Sequence, residues 1–209
     1  MFIDEYIKDT ISTKEKILND NGIKNTINII VEKLVEAYKN DNKMIIAGNG
    51  GSAADSQHIA CEMISKLNIN RKALNAHALN TNTSVITSIG NDFGFDYIFS
   101  RQIEAIGKKG DIFIALSTSG ESKNIINALV EAGKNKLITL AITGMKSCKV
   151  DSLSDYIIKI PSDKTPIIQE SQIMIGHIIC SLVEKQLFCN EKYEEEKNEI
   201  NRWKYSCYI

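Results

Sequence analysis

The spacing of apolar residues along the chain changes near residue 40. Up to that point apolar residues recur at helical intervals, most clearly at Ile27, Ile30, Val31, Leu34, Val35 and Tyr38. The short sequence Asp20-Asn21-Gly22 interrupts the pattern. Residues 1–40 therefore predict two N-terminal helices with a break at 20–22.

Beyond residue 40, short β-branched apolar runs alternate with helical patterns. Strands are predicted at 43–48, 111–117, 136–144 and 155–160, with a weaker strand at 73–79. Helices are predicted at 53–66, at about 96–106, at 122–133 and from Pro166 to about Leu187. Strands that are apolar through their centres are typical of a parallel sheet covered on both faces. The alternation predicts an α/β fold with a doubly wound, mostly parallel five-stranded sheet flanked by helices.

Length and composition indicate one domain. Of the 209 residues, 43% are hydrophobic and 24% charged, which is enough for a single globular core. We expect one domain over residues 1–209, made of N-terminal helices (1–40), an α/β core (41–188) and a charged C-terminal tail (189–209). The tail is expected to form a solvated last helix or, through Trp203 and Tyr205, a contact with a partner subunit.

Charge, hydropathy and cysteine use narrow the class of protein. A net charge of −1 provides no basic field of the kind that non-specific nucleic-acid binding needs. The N-terminus does not resemble a signal peptide, and no uninterrupted apolar stretch approaches the length of a membrane span. The five cysteines are an odd number without a C-x-x-C pair, which is typical of reduced thiols. These features predict a soluble cytoplasmic protein that binds neither nucleic acid nor membranes.

Two predicted strand ends carry candidate ligand loops, because ligands of open α/β sheets bind beyond the carboxyl ends of the strands. The first strand is followed by GNGGS at 48–52, and the strand DIFIAL by STSGESK at 117–123. With Ala53, the first loop also fits the dinucleotide pattern G-x-G-x-x-A. That interpretation is weakened because no acidic residue lies between Glu62 and Asp92 to bind the ribose hydroxyls. In an NADP-type site, Arg71 or Lys72 could take the place of that acid, so this alternative stays open.

The second loop favours a phosphate. Hydroxyls and backbone N–H groups at a helix N-terminus converge on an anion, and the helix dipole adds to the attraction. Capping the helix would need one hydroxyl, whereas this turn has four, at Ser117, Thr118, Ser119 and Ser122. Without a Walker motif, the expected ligand is a small monophosphate ester.

Candidate chemistry lies on the helix that the first loop opens. His58 and Glu62 are four residues apart and face the same side of this helix. They could share a divalent ion or act as an acid–base pair, or they could form a surface pair worth a few tenths of a kcal/mol. Their place behind a ligand loop favours a functional site. His77, in the weak strand, is expected to be structural.

The late apolar helix adds His177 and Gln169. A lone histidine on such a helix is more often a core residue than a ligand. Gln169 precedes His177 by eight residues, or about 12 Å of helix rise. The two side chains can therefore meet at one ion only if two subunits contribute or if Gln169 lies in a non-helical lead-in.

Four motifs together resemble the sugar isomerase (SIS) domain family, and most closely its phosphoheptose isomerase branch. They are GNGGSAADSQHIACE (48–62), IGNDFGF (89–95), STSGES (117–122) and QESQIMIGH (169–177), in family order. The resemblance runs from the N-terminal helices to about residue 188. It implies a flavodoxin-like sheet, a bound zinc ion, and a homotetramer with sites at the subunit interfaces.

The resemblance also implies an activity and a set of site residues. The reaction would be aldose–ketose isomerisation of sedoheptulose 7-phosphate to D-glycero-D-manno-heptose 7-phosphate through an enediol(ate), for lipopolysaccharide or capsule synthesis. Glu62 would be the carbon base and His177 the shuttle for the hydroxyl proton. Metal positions would be His58, Glu62, Gln169 and His177. Substrate contacts would come from Asn49, Gly50, Gly51, Ser52, Glu62, Asn91, Asp92, Ser117, Thr118, Ser119, Ser122 and Gln169.

Two departures from the branch stand out. Glu121 replaces the asparagine that is usual in the phosphate loop, and residues 64–67 lack the usual Gly-Arg.

Three other functions compete with this assignment. They are a non-catalytic SIS tetramer that binds a partner protein, as in regulators of replication initiation; an isomerase of another phosphosugar; and a phosphosugar-sensing transcription regulator. Retention of His58, Glu62 and His177 favours an enzyme over the first. A transcription regulator is disfavoured because the sequence has no appended helix-turn-helix and no basic patch.

Overall fold

The computed structural model describes residues 2–189, which begin with two helices, α1 (Phe2–Asn19) and α2 (Asn21–Lys39). Asp20 separates them, and its side chain accepts a hydrogen bond from the backbone N–H of Ile23. An aspartate in extended backbone at this position is an ordinary N-cap. The predicted break at 20–22 is therefore confirmed.

Five parallel strands form one sheet: β1 (Met44–Gly48), β2 (Ala76–Ala78), β3 (Ile112–Leu116), β4 (Ile138–Gly144) and β5 (Tyr156–Ile160). Their order across the sheet is β2-β1-β3-β4-β5, which is the flavodoxin-like order. All residues of β1 and β3 are buried, as expected for central strands covered on both faces. The predicted α/β fold and sheet are confirmed, and the weak strand proves to be three residues long.

The remaining helices are α3 (Gly51–Ile64), α4 (Thr83–Asp92), α5 (Ser100–Ile106), α6 (Lys123–Lys134) and α7 (Thr165–Phe188). Short 3₁₀ helices lie at Phe95–Tyr97 and Lys149–Ser152, so the single helix predicted at 96–106 is in fact a 3₁₀ helix followed by α5. The sequence analysis missed α4. Its apolar residues Val85, Ile86 and Ile89 are only partly buried and form a short stripe, which the sequence analysis did not recognise.

The two faces of the sheet have separate cores. Helices α2, α3 and α7 bury apolar residues against one face, while α5 and α6 cover the other. Within residues 2–189, α7 is long and apolar enough to cross a membrane, but half of its apolar window is buried inside the protein. It packs against α2 and α3, which is the arrangement of a core helix.

The four cysteines in the described part of the chain, Cys61, Cys148, Cys180 and Cys189, are free thiols, as predicted. Cys207 and the predicted tail beyond Cys189, including Trp203 and Tyr205, lie outside the described residues.

Candidate active site

The crevice between β1 and β3 is the point at which the strand order reverses, and both candidate loops open onto it. Gly48 and Leu116, the last residues of these strands, are paired in register. The loops that follow are joined by two reciprocal hydrogen bonds of 2.9 Å between the side-chain amides of Asn49 and Asn124. The fold therefore places the two loops side by side, where ligands of such sheets bind.

The glycine loop allows a side chain of α7 to approach closely. Gly50 has a φ of 56°, which favours glycine, and begins α3 as its N-cap. A Cβ atom on Gly51 would lie 2.6 Å from Nε2 of Gln169, so only glycine leaves room for that amide. The hydroxyl of Ser52 is buried and donates to Oε1 of Gln172 at 2.9 Å. Ser52 thus anchors the loop to α7; its predicted contact with substrate stays a prediction.

The hydroxyl loop is organised by its own backbone. Oγ of Ser117 accepts from the N–H of Gly120 at 3.1 Å, and Oγ of Ser119 accepts from the N–H of Glu121 at 3.2 Å. Ser122 is the N-cap residue of α6, yet its hydroxyl makes no capping hydrogen bond. Helix capping therefore does not explain this serine. A cleft of about 320 Å³ adjoins the loop, lined by Thr118, Ser119 and residues that follow β4 and β5.

Glu121, the departure from the branch, lines the same cleft and uses one carboxylate oxygen to bind the backbone of a neighbouring segment. Its Oε1 accepts from the backbone N–H of Lys149 at 2.8 Å. A carboxylate at the start of the 3₁₀ helix Lys149–Ser152 satisfies an otherwise unpaired N–H group. This contact gives Glu121 a structural role.

Three side chains from two helices converge in one cluster, which we call the His–Glu–His cluster: His58 and Glu62 of α3, and His177 of α7. Nε2 of His58 lies 3.1 Å from Oε1 of Glu62 and 3.4 Å from Nε2 of His177. The two imidazole rings are edge to face, with centroids 4.9 Å apart. His177 is therefore not an isolated core histidine.

The His–Glu–His cluster fits a zinc ion. All three ligand atoms lie within 4.8 Å of one another. Two nitrogens bound to a tetrahedral zinc at 2.0–2.1 Å are about 3.3–3.4 Å apart, which matches the separation of the two Nε2 atoms. Two imidazoles and one carboxylate are also a donor set found in catalytic zinc sites.

The predicted fourth ligand, Gln169, is remote from this cluster. It lies in the second turn of α7, so the alternative of a non-helical lead-in is wrong. Its side chain rests on Gly51, and Gly51 precedes His58 by seven residues, or about 10 Å along α3. Within one chain, Gln169 lies beside the first residue of α3, and the His–Glu–His cluster lies further along the helix.

Other predicted residues occupy less central positions. Asn91 and Asp92 form the last turn of α4 instead of a loop; both are exposed, and Nδ2 of Asn91 donates to Oδ1 of Asp92 at 2.8 Å. Their substrate contacts stay a prediction. His77 is exposed in the edge strand β2.

Several residues that shape the site were missed. Asn124 and Gln172 are buried polar residues on otherwise apolar helix faces, and this break in the pattern is the signal that could have found them. Asn80 follows β2 and binds the backbone of Gly48 through both its amide atoms. It stands where a dinucleotide site would have its ribose-binding acid, which further disfavours NAD.

Comparison with known proteins places the chain in a family. The SIS domain family matches residues 5–144. The phosphoheptose isomerase of Clostridium acetobutylicum is 50% identical over 93% of this chain and 98% of its own length. That of Aneurinibacillus thermoaerophilus is 48% identical over 91% and 96%, respectively. The structure of the Neisseria gonorrhoeae phosphoheptose isomerase superposes with a TM-score of 0.80 at 35% identity, covering 88% of this chain and 97% of that one. The chain therefore belongs to the SIS domain family and, within it, to the family of the phosphoheptose isomerases.

Proposed function

We propose that this protein is an aldose–ketose isomerase that converts sedoheptulose 7-phosphate to D-glycero-D-manno-heptose 7-phosphate through an enediol(ate). The observation that carries the proposal is the His–Glu–His cluster, because a binding scaffold has no need for a base and a metal site in one place. The phosphoheptose isomerase relatives at about half identity favour a seven-carbon substrate. The product would feed heptose synthesis for lipopolysaccharide or a capsule, in the cytoplasm.

The reaction moves a proton between C1 and C2. A carboxylate is suited to take a proton from carbon next to a carbonyl, so Glu62 is the proposed base. His177 would move the proton between the oxygens on C1 and C2. Its Nε2 atom lies 3.4 Å from Nε2 of His58, which in turn contacts Glu62. Ser117, Thr118, Ser119 and Ser122, with the N-terminus of α6, would hold the phosphate and fix the distance to the reacting carbons.

Zinc is the proposed cofactor, held by His58, Glu62 and His177. When bound, zinc would polarise the substrate carbonyl and stabilise negative charge on its oxygen. Since Glu62 belongs to the ligand set and is also the proposed base, one carboxylate oxygen would serve each purpose.

A homotetramer is proposed because the fourth ligand is missing from the cluster within one chain. Gln169 lies about 10 Å away along α3, so the Gln169 amide of one protomer would complete the cluster of another. Helix α1 also carries exposed isoleucines and a leucine along one face, at Ile3, Ile7, Ile11 and Leu18. A stripe of this kind on a surface helix is typical of an interface between subunits.

The experiment is NMR-monitored conversion of sedoheptulose 7-phosphate by the parent protein and by Glu62→Gln. We expect the parent to form the aldose, to lose activity with a chelator and to regain it with zinc. Glu62→Gln should bind the phosphosugar but turn over about 10²–10⁴-fold more slowly.

Three results would contradict the proposal. Turnover of Glu62→Gln within a few-fold of the parent would remove this carboxylate from the mechanism. Isomerisation of hexose or pentose phosphates alone would favour another phosphosugar. A folded tetramer that binds phosphosugars and converts none would favour the scaffold function.

A further inference from the structure

The carboxylate of Asp55 is partly buried, and one of its oxygens has no hydrogen-bond partner among the described residues. Asp55 lies on α3 one turn before His58 and two turns before Glu62, on the same side of the helix. Its Oδ2 atom is buried and makes no hydrogen bond within residues 2–189. Burial raises the pKa of Asp55, and the fields of His58 and His177 oppose this shift. Asp55 therefore lies on the face of α3 that carries the cluster.

An unpaired buried carboxylate oxygen requires an explanation, because it has lost its hydration without gaining a hydrogen bond. Two carboxylates that are buried more deeply are fully paired. Asp111 contacts Nζ of Lys43 at 2.6 Å, and Glu184 contacts Nε of Arg71 at 2.9 Å; both also accept backbone N–H groups. Among these three acids, only Asp55 has a buried oxygen without a hydrogen bond.

Zinc in the cluster would give Asp55 a partner in two ways. Both histidines direct Nε2 into the cluster, which leaves each Nδ1–H available, and metal-bound histidines usually donate that N–H to a carboxylate. Glu62 alone would leave one positive charge of the ion unbalanced, and a second carboxylate nearby would neutralise it. In a partly buried site such compensation matters more than in water.

We propose that Asp55 is a positioning residue for the zinc site: it accepts the outward ring N–H of the histidine pair and balances the charge of the ion. This inference rests on the zinc ion of the proposed function. Asp55 touches neither substrate nor the reacting atoms in this scheme. It acts by holding the two imidazoles in the orientation that binds the metal.

The test is the zinc affinity of the metal-free full-length protein, measured by competition with a chromogenic chelator, for the parent, Asp55→Asn and Asp55→Ser. We expect affinity to fall about 10- to 100-fold in both variants. The unfolding midpoint of the metal-free protein should stay the same or rise, because the unpaired charge is gone. Asp96→Asn, which alters a carboxylate paired with exposed Lys123 at 3.7 Å, is the matched control and should change neither quantity.

The outcomes separate this inference from the isomerase assignment. Zinc affinity within threefold of the parent would overturn the role of Asp55. A fall in affinity together with a lower unfolding midpoint would also overturn it, since that result indicates ordinary structural damage. A parent protein that isomerises sedoheptulose 7-phosphate but binds no zinc would refute the inference and leave the activity standing. Weakened zinc binding in the variants of a protein that isomerises nothing would support the inference and contradict the function.

Discussion

Arg71 connects the two helices that carry the His–Glu–His cluster. Its side chain is 1% exposed, and Nε contacts Oε1 of Glu184 on α7 at 2.9 Å. The two terminal nitrogens each donate at 2.8 Å to the last turn of α3, Nη1 to the carbonyl of Met63 and Nη2 to that of Glu62. One guanidinium thus closes the C-terminal end of α3 and joins it to α7.

Replacing Arg71 by alanine should be strongly destabilising. Breaking a buried ion pair by removing one partner typically costs 3–5 kcal/mol. Glu184 would retain hydrogen bonds from the backbone N–H groups of Leu67 and Asn68, at 3.1 and 2.8 Å. We therefore expect the lower end of that range, about 3 kcal/mol. For a chain of this size the loss corresponds to a fall in Tm of about 6–12 °C.

The assay is thermal unfolding at fixed protein concentration, with and without added zinc. Lys72→Ala is the matched control, since Lys72 is the exposed neighbouring cation. Glu184→Gln provides a second, milder break of the same pair. A Tm for Arg71→Ala within about 2 °C of the Lys72→Ala variant, or less than 1 kcal/mol by the usual conversion, would refute the view that this ion pair holds α3 to α7.

Three further predictions concern packing, specificity and pH. Gly176→Ala should lower the free energy of unfolding by about 1–3 kcal/mol and weaken zinc binding, because the new Cβ would lie 2.4 Å from Cδ1 of Ile59 between α3 and α7. Urea unfolding measures the first effect and chelator competition the second, and unchanged values would contradict the close contact. Glu121→Asn should leave the ratio of kcat/KM for heptose and hexose phosphates unchanged within threefold, since Glu121 binds Lys149; a larger change in a substrate panel would restore it as a specificity residue. Burial alone would raise the pKa of Glu184, but hydrogen bonds from Asn68, Leu67 and Arg71 outweigh burial and lower the pKa. The stabilisation by Glu184 is therefore present above the unfolded-state pKa of about 4.3 and is lost as the pH falls through the folded-state value. The difference in unfolding free energy between the parent and Glu184→Gln should thus shrink in acid, and a difference independent of pH would contradict this.

The parts of the structure that were predictable from sequence have strong local signals. Buried strands β1, β3 and β4 are short apolar runs, helices α2 and α6 carry regular apolar spacing, and α7 is apolar over most of its length. Helix α4 has only a short stripe of partly buried residues, Val85, Ile86 and Ile89, which is a weaker signal. The pairing of His58 with Glu62 also follows from helical periodicity, whereas their meeting with His177 depends on how α3 packs against α7.

The end of α3, next to the segment that lacks the Gly-Arg usual in the branch, is bound by an arginine from the following loop. Arg71, five residues beyond Lys66, reaches back to the carbonyls of Glu62 and Met63. The loop between them is held by Glu184, which binds the N–H groups of Leu67 and Asn68.

The same helix pair explains why one chain divides its site in two. The helices α3 and α7 run alongside each other with Gln169 beside Gly51 at the loop end and His177 beside His58 further along. Close contact at Gly51 and Gly176 fixes the register of this pairing, so neither end can slide toward the other. In the proposed site, an ion bound by both Gln169 and His177 would take them from different protomers. The proposed homotetramer would allow this, with Gln169 of one protomer at the cluster of another.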